Sequence, residues 1–183
     1  MRIISGKYKG RQIQSSRDRS IRPTTNKIKE YIFELLGDAV HDALVLDLFS
    51  GSGSLGIEAV SRGARGITFV DVSQNSLRVL RKNLENLKIA EPVYTVKRDV
   101  IQFLKKNRQP FDLIFADPPF KWAKFDDMLP LIFKPEVLSD NGIFVLESEK
   151  SHDIDWTQEI FTVRRQKIFD RSVITFLARN DQI

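Results

Sequence analysis

"VLDLFSGSGSLGIEA" occupies Val45 to Ala59, and how it is read decides the fold. An apolar run passes through Gly51, Gly53 and Gly56 in the order G-x-G-x-x-G and continues into residues that suit a helix. Strand, glycine turn and helix in that order begin a βαβ unit. Glycines there permit positive φ and let the backbone approach a ligand. A plain tight turn would satisfy so short a motif as well, so its surroundings have to carry the reading.

Those surroundings alternate. Ala43 to Phe49 reads as a strand, Ser54 to Arg62 as a helix, and Gly66 to Asp71 as a second strand. Ser73 caps a long helix with Leu77, Leu80, Leu84 and Leu87 on one face, closed by Ala90-Glu91-Pro92. Val93 to Lys97 is a third strand, Val100 to Lys106 a helix, and Phe111 to Ala116 a fourth strand. A helix is expected over about Phe125 to Leu138, then an Asn141-Gly142 turn into a fifth strand, Ile143 to Glu147. Two late strands, near Ile160 to Gln166 and Ser172 to Ala178, are separated only by a turn at Asp170-Arg171 and so form an antiparallel pair.

Upstream, residues 2–13 alternate loosely about a turn at Gly6 to Gly10, which suggests a small hairpin. Ser15 to Ser20 reads as a polar loop. Pro23-Thr24-Thr25-Asn26 starts a helix that carries Ile28, Ile32, Leu35 and Leu36 and ends at Gly37. The expected class is α/β: a doubly wound, mostly parallel seven-stranded Rossmann-like sheet with a C-terminal antiparallel strand pair and a small basic N-terminal hairpin. Residues 1–24 form the arm and 25–183 the main domain.

With 183 residues, 42% hydrophobic and 29% charged, the chain suits one globular domain. It has no cysteine, which excludes disulfides and thiolate chemistry, and only His41 and His152 as imidazoles, so no metal site is expected. No apolar run approaches the roughly 20 residues of a membrane helix, and no h-region follows the basic N-terminus, so a cytoplasmic protein is expected. The net charge is +5, but residues 1–29 hold nine bases against Asp18, a net +8, leaving the remainder at −3. Such an arm suits contact with a polyanion; a solvated basic tail is the alternative.

Acids surround the glycine loop. Asp47 stands just before it, Asp71 ends the second strand, and Asp99 follows the third. A pyrophosphate over the loop would be repelled by Asp47, whereas a ligand carrying a sulfonium and an ammonium would not. S-adenosylmethionine (SAM) fits. Asp71 would then accept from the ribose hydroxyls, as acids do at that strand end, and Asp99 from the adenine amine while also capping the next helix. Phe49, Ser52, Val72 and Val100 flank these positions and join Asp47, Gly51, Gly53, Asp71, Asp99 and Asp117 in the expected cofactor site. As rings, Phe49, Phe69, Phe115 and Phe144 are read as core rather than as base platforms.

"ADPPF", Ala116 to Phe120, closes the fourth strand. That strand is expected beside the first, which brings Asp117 to the glycine loop. Two prolines can simply terminate a strand. They also remove two N–H donors and stiffen a set of acceptors. The Asp117 carboxylate and the Pro118 carbonyl could accept both N–H groups of an exocyclic amine and direct its lone pair at a methyl group. Pro119 holds the turn, and Phe120 offers a ring to a flipped-out base. The remaining catalysis is orientation for in-line displacement, with neither metal nor covalent intermediate. Trp122 belongs to a mobile substrate loop with Lys121 and Lys124, packs into the core, or is simply exposed. Glu147 lies near the site or pairs with a neighbouring base.

The order SAM loop then D-P-P-F resembles class I amino-methyltransferases. "RIISGKYKGRQI", "RPTT" with "KIKEYIFELL", "LDLFSGSGSLGIEAVSRGA", "ADPPF" and a late "ES" together resemble the bacterial 16S ribosomal RNA guanine-N2 methyltransferases, from Arg2 to about Glu149. The resemblance implies SAM as cofactor, guanine at Asp117 to Phe120, and RNA contacts from Arg2, Lys7, Lys9, Arg11, Arg22 and Thr24. The implied partner is 16S rRNA or the small ribosomal subunit, met by a monomer. Ser50 stands where the family usually has Ala, and the C-terminal strands match least. D-P-P-F is shared with adenine-N6 enzymes, which keeps that chemistry open, as does a non-catalytic RNA-binding assembly protein.

Overall fold

The computed structural model describes residues 1–15 and 25–180. Arg22 and Thr24, and most of the polar loop expected before them, lie outside the described residues. Helix α1 (Asn26–Leu36) starts at Thr25, whose hydroxyl accepts from Ile28 N at 3.3 Å, and runs into a short 3-10 turn, Gly37–Val40. Then follow β1 (Leu44–Leu48), α2 (Ser54–Ser61), β2 (Gly66–Asp71), α3 (Gln74–Leu87), β3 (Val93–Lys97), α4 (Val100–Lys106), β4 (Phe111–Ala116), α5 (Phe125–Ile132), β5 (Leu138–Glu149), β6 (Phe161–Phe169) and β7 (Ser172–Arg179). The sheet has seven strands in the order β3-β2-β1-β4-β5-β7-β6. β1 to β5 are parallel, and β7 lies antiparallel between β5 and β6, as the alternating pattern predicts.

Two boundaries differ most from expectation, while β6 runs three residues past Gln166 and β5 two past Glu147. Helix α5 stops at Ile132 rather than near Leu138. Pro130 removes one helical N–H, and Pro135 disfavours helical backbone at Lys134, so the chain turns there and enters β5 early. β5 therefore already contains Asn141-Gly142, as an irregularity against β4 between the Phe111–Leu138 and Leu113–Ile143 pairs. The turn expected there is a bulge.

The sheet is covered on both faces. One core cluster joins Phe33, Ile57, Phe69, Leu80 and Phe115, and the other Leu48, Ile114, Met128, Leu138 and Phe144. Burial of each such side chain contributes about 1.5–3 kcal/mol. Ile3, Tyr8 and Ile13 belong to the first cluster. The N-terminal segment is thus packed on the sheet domain, and its two limbs share a single antiparallel bridge, Arg2 to Gln12.

What fastens this segment is a buried carboxylate. Glu58 of α2 accepts from the backbone N–H of Ile4 (2.9 Å) and Ser5 (3.0 Å), and from Arg62 Nε (3.0 Å). Lys29 Nζ of α1 lies 3.1 Å from it, with both side chains fully buried, and donates to the Arg2 carbonyl at 2.8 Å. Burial draws the Lys29 ammonium below its ordinary value, opposed by Glu58. Gly6 then passes so close to α2 that a Cβ there would sit 1.7 Å from the Ser61 carbonyl, and its φ is +81°. Glu58→Ala is expected to destabilise the fold by about 3–5 kcal/mol, since a buried ammonium is left without its partner. A urea midpoint that drops far more for Glu58→Ala than for Lys7→Ala, whose ion pair is exposed, meets this expectation; equal midpoints contradict it.

Candidate active site

Parallel register brings the predicted pieces to one rim. Leu48 of β1 pairs with Ala116 of β4 and with Val70 of β2, so the glycine loop leaves the sheet between Asp71 and the D-P-P-F loop. Asp47 is 3% exposed and Asp71 8%. Gly56 N donates to Asp47 Oδ2 at 3.0 Å, Gly51 N to Asp71 Oδ2 at 2.8 Å, and Ser73 N to Asp71 Oδ1 at 2.7 Å. Burial, above all, pushes the Asp47 carboxyl well above the usual carboxylate range; the Gly56 bond opposes this and the Asp71 charge adds to it.

The three glycines have different reasons to be glycine. A Cβ on Gly53 would meet Leu80 at 2.4 Å, and one on Gly56 would meet Ile67 and Phe69 at 2.4 Å. Those two let helix and sheet pack closely. Gly51 has φ +53° and nothing nearer to its Cβ direction than the Phe49 carbonyl at 3.9 Å, so it borders open space. Its amide is held by Asp71, which removes a donor that a phosphate would need. The buried hydroxyls of Ser50 and Ser54 have no partner among the described residues, which leaves hydrogen-bonding capacity at the loop. Two acids, spare hydroxyls and no positive side chain on the loop itself suit a cationic nucleoside such as SAM and not a dinucleotide.

The other cofactor candidates sit around the same rim. Asp99 caps α4, accepting from Gln102 N at 3.1 Å. Val72 is exposed beyond β2, Val100 is buried in the first turn of α4, and the Ser52 carbonyl accepts from Asn83 at 3.0 Å. Phe69, Phe115 and Phe144 are core, as expected. Phe49 is not: it lies past the end of β1 with φ +57°, half-buried, its ring 5.0 Å from that of Trp122 in an edge-on contact. Trp122 in turn packs 5.0 Å from Phe125, so the indole lines the D-P-P-F loop.

That loop keeps few carbonyls uncommitted. Pro119 O accepts from Trp122 N at 2.8 Å, and Phe120 O meets His152 Nε2 at 3.1 Å. Among the described residues no donor reaches the Pro118 carbonyl. Pro118 is buried, whereas the Phe120 ring is 56% exposed. Glu147 is buried in β5 opposite Ile174.

The basic arm is partly spent on the protein itself. Lys7 pairs with Glu91 at 2.8 Å, a bond that raises the ammonium pKa. Arg11 donates to the Leu87 carbonyl at 2.7 Å and to that of Asn86, where the carbonyls at the end of α3 attract a cation. Asn83 of α3 accepts from Gln14 N at 2.9 Å while donating to the Gln14 and Ser52 carbonyls, a bridge from the arm to the glycine loop. Arg2 and Lys9 remain exposed and make no ion pair among the described residues. Sequence reasoning missed Glu58, Asn83 and His152. The signal for Glu58 was present, an acid in an otherwise small and apolar helix, the same cue that marked Asp47.

A family model described as conserved hypothetical protein 95 matches residues 1–178. Ribosomal RNA small subunit methyltransferase D of Buchnera aphidicola subsp. Baizongia pistaciae is 38% identical over 152 residues, covering 82% of this chain and 77% of its own. The protein of the same name from Escherichia coli K12 is 32% identical over 168 residues, covering 92% and 84%. A solved Escherichia coli structure, provisionally assigned as a methyltransferase, matches with a TM-score of 0.88 at 31% identity, covering 100% of this chain and 99% of its own. The chain belongs to this family of bacterial small-subunit ribosomal RNA methyltransferases.

Proposed function

We propose that the protein methylates the exocyclic N2 of a guanine in 16S rRNA, in the cytoplasm and as a monomer, with SAM as methyl donor. The observation that carries this reading is the Leu48–Ala116 register, which sets the D-P-P-F acceptors beside a glycine loop flanked by two buried acids. SAM supplies a methyl on a sulfonium, whose C–S bond breaks as the N–C bond forms, its electron pair staying on sulfur. Asp47 and Asp71 favour the cationic donor. Asp117 and the Pro118 carbonyl accept from the two N–H groups of the base, which directs the nitrogen lone pair along the line of displacement. The Phe120 ring receives the face of the flipped base. After transfer the nitrogen carries one proton too many, and Asp117 is the nearest carboxylate in the loop to take it. Of the described arm residues, Arg2 and Lys9 are open to RNA phosphates, since Lys7 and Arg11 already have protein partners; the family resemblance adds Arg22 and Thr24 as RNA contacts.

Asp117→Ala should abolish methyl transfer to undermethylated 30S subunits while SAM affinity stays within several-fold. Full activity in that variant removes Asp117 from the mechanism. Labelled SAM offered to 30S subunits, naked rRNA and DNA should label the subunits best.

Asp47 gives the cofactor step a pH signature. Its raised pKa keeps the carboxyl protonated where an ordinary carboxylate, near 3.8, is already ionised. A cationic ligand favours the ionised form, so binding expels a proton across that interval. SAM affinity should therefore rise with pH above the ordinary carboxylate value and level off once Asp47 ionises unaided. The free protein should show the opposite trend, losing the stability of this site as pH rises through the same window, because the folded state holds the Asp47 proton to higher pH than the unfolded chain does. Calorimetry in buffers of different ionisation enthalpy should detect the released proton in the native protein and not in Asp47→Asn. Equal proton release in both assigns it elsewhere.

A further inference from the structure

His152 follows β5 in a tight turn, its own N–H bonded to the Glu149 carbonyl at 3.0 Å. Its Nδ1 lies 3.2 Å from Glu149 N, which can only donate, so Nδ1 accepts and the ring proton belongs to Nε2. Nε2 then donates to the Phe120 carbonyl at 3.1 Å. The imidazole packs against Phe125 in a tilted contact, centroid to centroid 4.9 Å, and Phe125 leads on through Trp122 to Phe49 at the glycine loop.

This bond tethers the backbone of residues 118–120. Pro118 and Pro119 have no N–H with which to bind neighbouring backbone. The Trp122-to-Pro119 bond closes a turn within the loop and fastens it to nothing else. Among the described residues, the His152 bond is the one hydrogen bond that reaches the backbone of residues 118–120 from outside the loop.

We propose that His152 is a positioning residue for methyl transfer: its Nε2–H holds the Phe120 carbonyl and thereby fixes the loop that presents Asp117, Pro118 and the Phe120 ring. The proposal rests on the D-P-P-F loop being where the base is received. The imidazole touches neither cofactor nor base. It acts by keeping the acceptors in line with the donor, where a misplacement of about 1 Å can cost about a hundredfold in rate.

Single-turnover transfer to undermethylated 30S subunits, at saturating SAM and subunits, tests this with three variants. His152→Ala and His152→Asn are expected to lower the rate about tenfold to a hundredfold, with SAM affinity unchanged. His152→Gln is expected to recover most of the rate, because its amide nitrogen can stand where Nε2 stood. Wild-type rates in Ala and Asn, or Gln no better than Asn, overturn the proposal. If Ala fails to fold, seen as lost SAM binding, the Gln and Asn pair decides. Trp122 fluorescence in a Trp156→Phe background gives a readout independent of substrate: His152→Ala should open Trp122 to iodide quenching, and unchanged quenching overturns the tether. No transfer by the wild-type protein to any RNA would instead sink the functional reading, leaving the fluorescence to judge His152.

Discussion

A carboxylate with no exposed surface, Glu58, is the constraint on which the rest of the molecule depends. Left alone in the core it would be untenable, and every element that answers its charge is thereby fixed in place. Lys29 brings α1, the Ile4 and Ser5 amides bring the N-terminal segment, and Arg62 closes the end of α2. Since α2 is the helix that leaves the glycine loop, the basic arm and the cofactor half of the site share one foundation. Asn83 repeats the connection by bonding Gln14 on one side and Ser52 on the other. An arm built this way is a surface of the domain, held at a set distance from the glycine loop, the proposed site of the methyl donor.

The second constraint is the concentration of negative charge at the rim. Asp47 and Asp71 are both buried, and burial, together with the Asp71 charge, disfavours ionisation of Asp47. The backbone answers with the amides of Gly51, Gly56 and Ser73. Those amides are then committed to carboxylates, which turns a loop that superficially suits phosphate into one that suits a cation. Phe49 completes the rim at a positive φ that costs on the order of 1–3 kcal/mol for a residue with a side chain. Its ring meets Trp122, so the glycine loop and the D-P-P-F loop are in contact through aromatic packing.

Much of this was legible in the sequence because it depends on local order. Strand–helix alternation dictates the parallel sheet, and a two-residue link dictates the antiparallel pair at its edge. Asp47, Asp71 and Asp117 stand at strand ends that any doubly wound sheet brings together. What was not legible depends on partners far away in the chain. Lys7 and Arg11 look like free bases until the fold supplies Glu91 and the end of α3. His152 belongs to no motif, and only the return of β5 beside β4 brings it to Phe120. The early end of α5 is readable in Pro130, which removes a helical N–H, and in Pro135, which disfavours helical backbone at Lys134.

The atom that receives the methyl group distinguishes a guanine-N2 enzyme from an adenine-N6 enzyme most directly. Undermethylated 30S subunits should be incubated with the protein and labelled SAM, the 16S rRNA digested to nucleosides, and the labelled nucleoside identified by mass spectrometry. N2-methylguanosine, confined to one position, is the result predicted here. Label in N6-methyladenosine would contradict it, because the D-P-P-F acceptors would then serve a different amine.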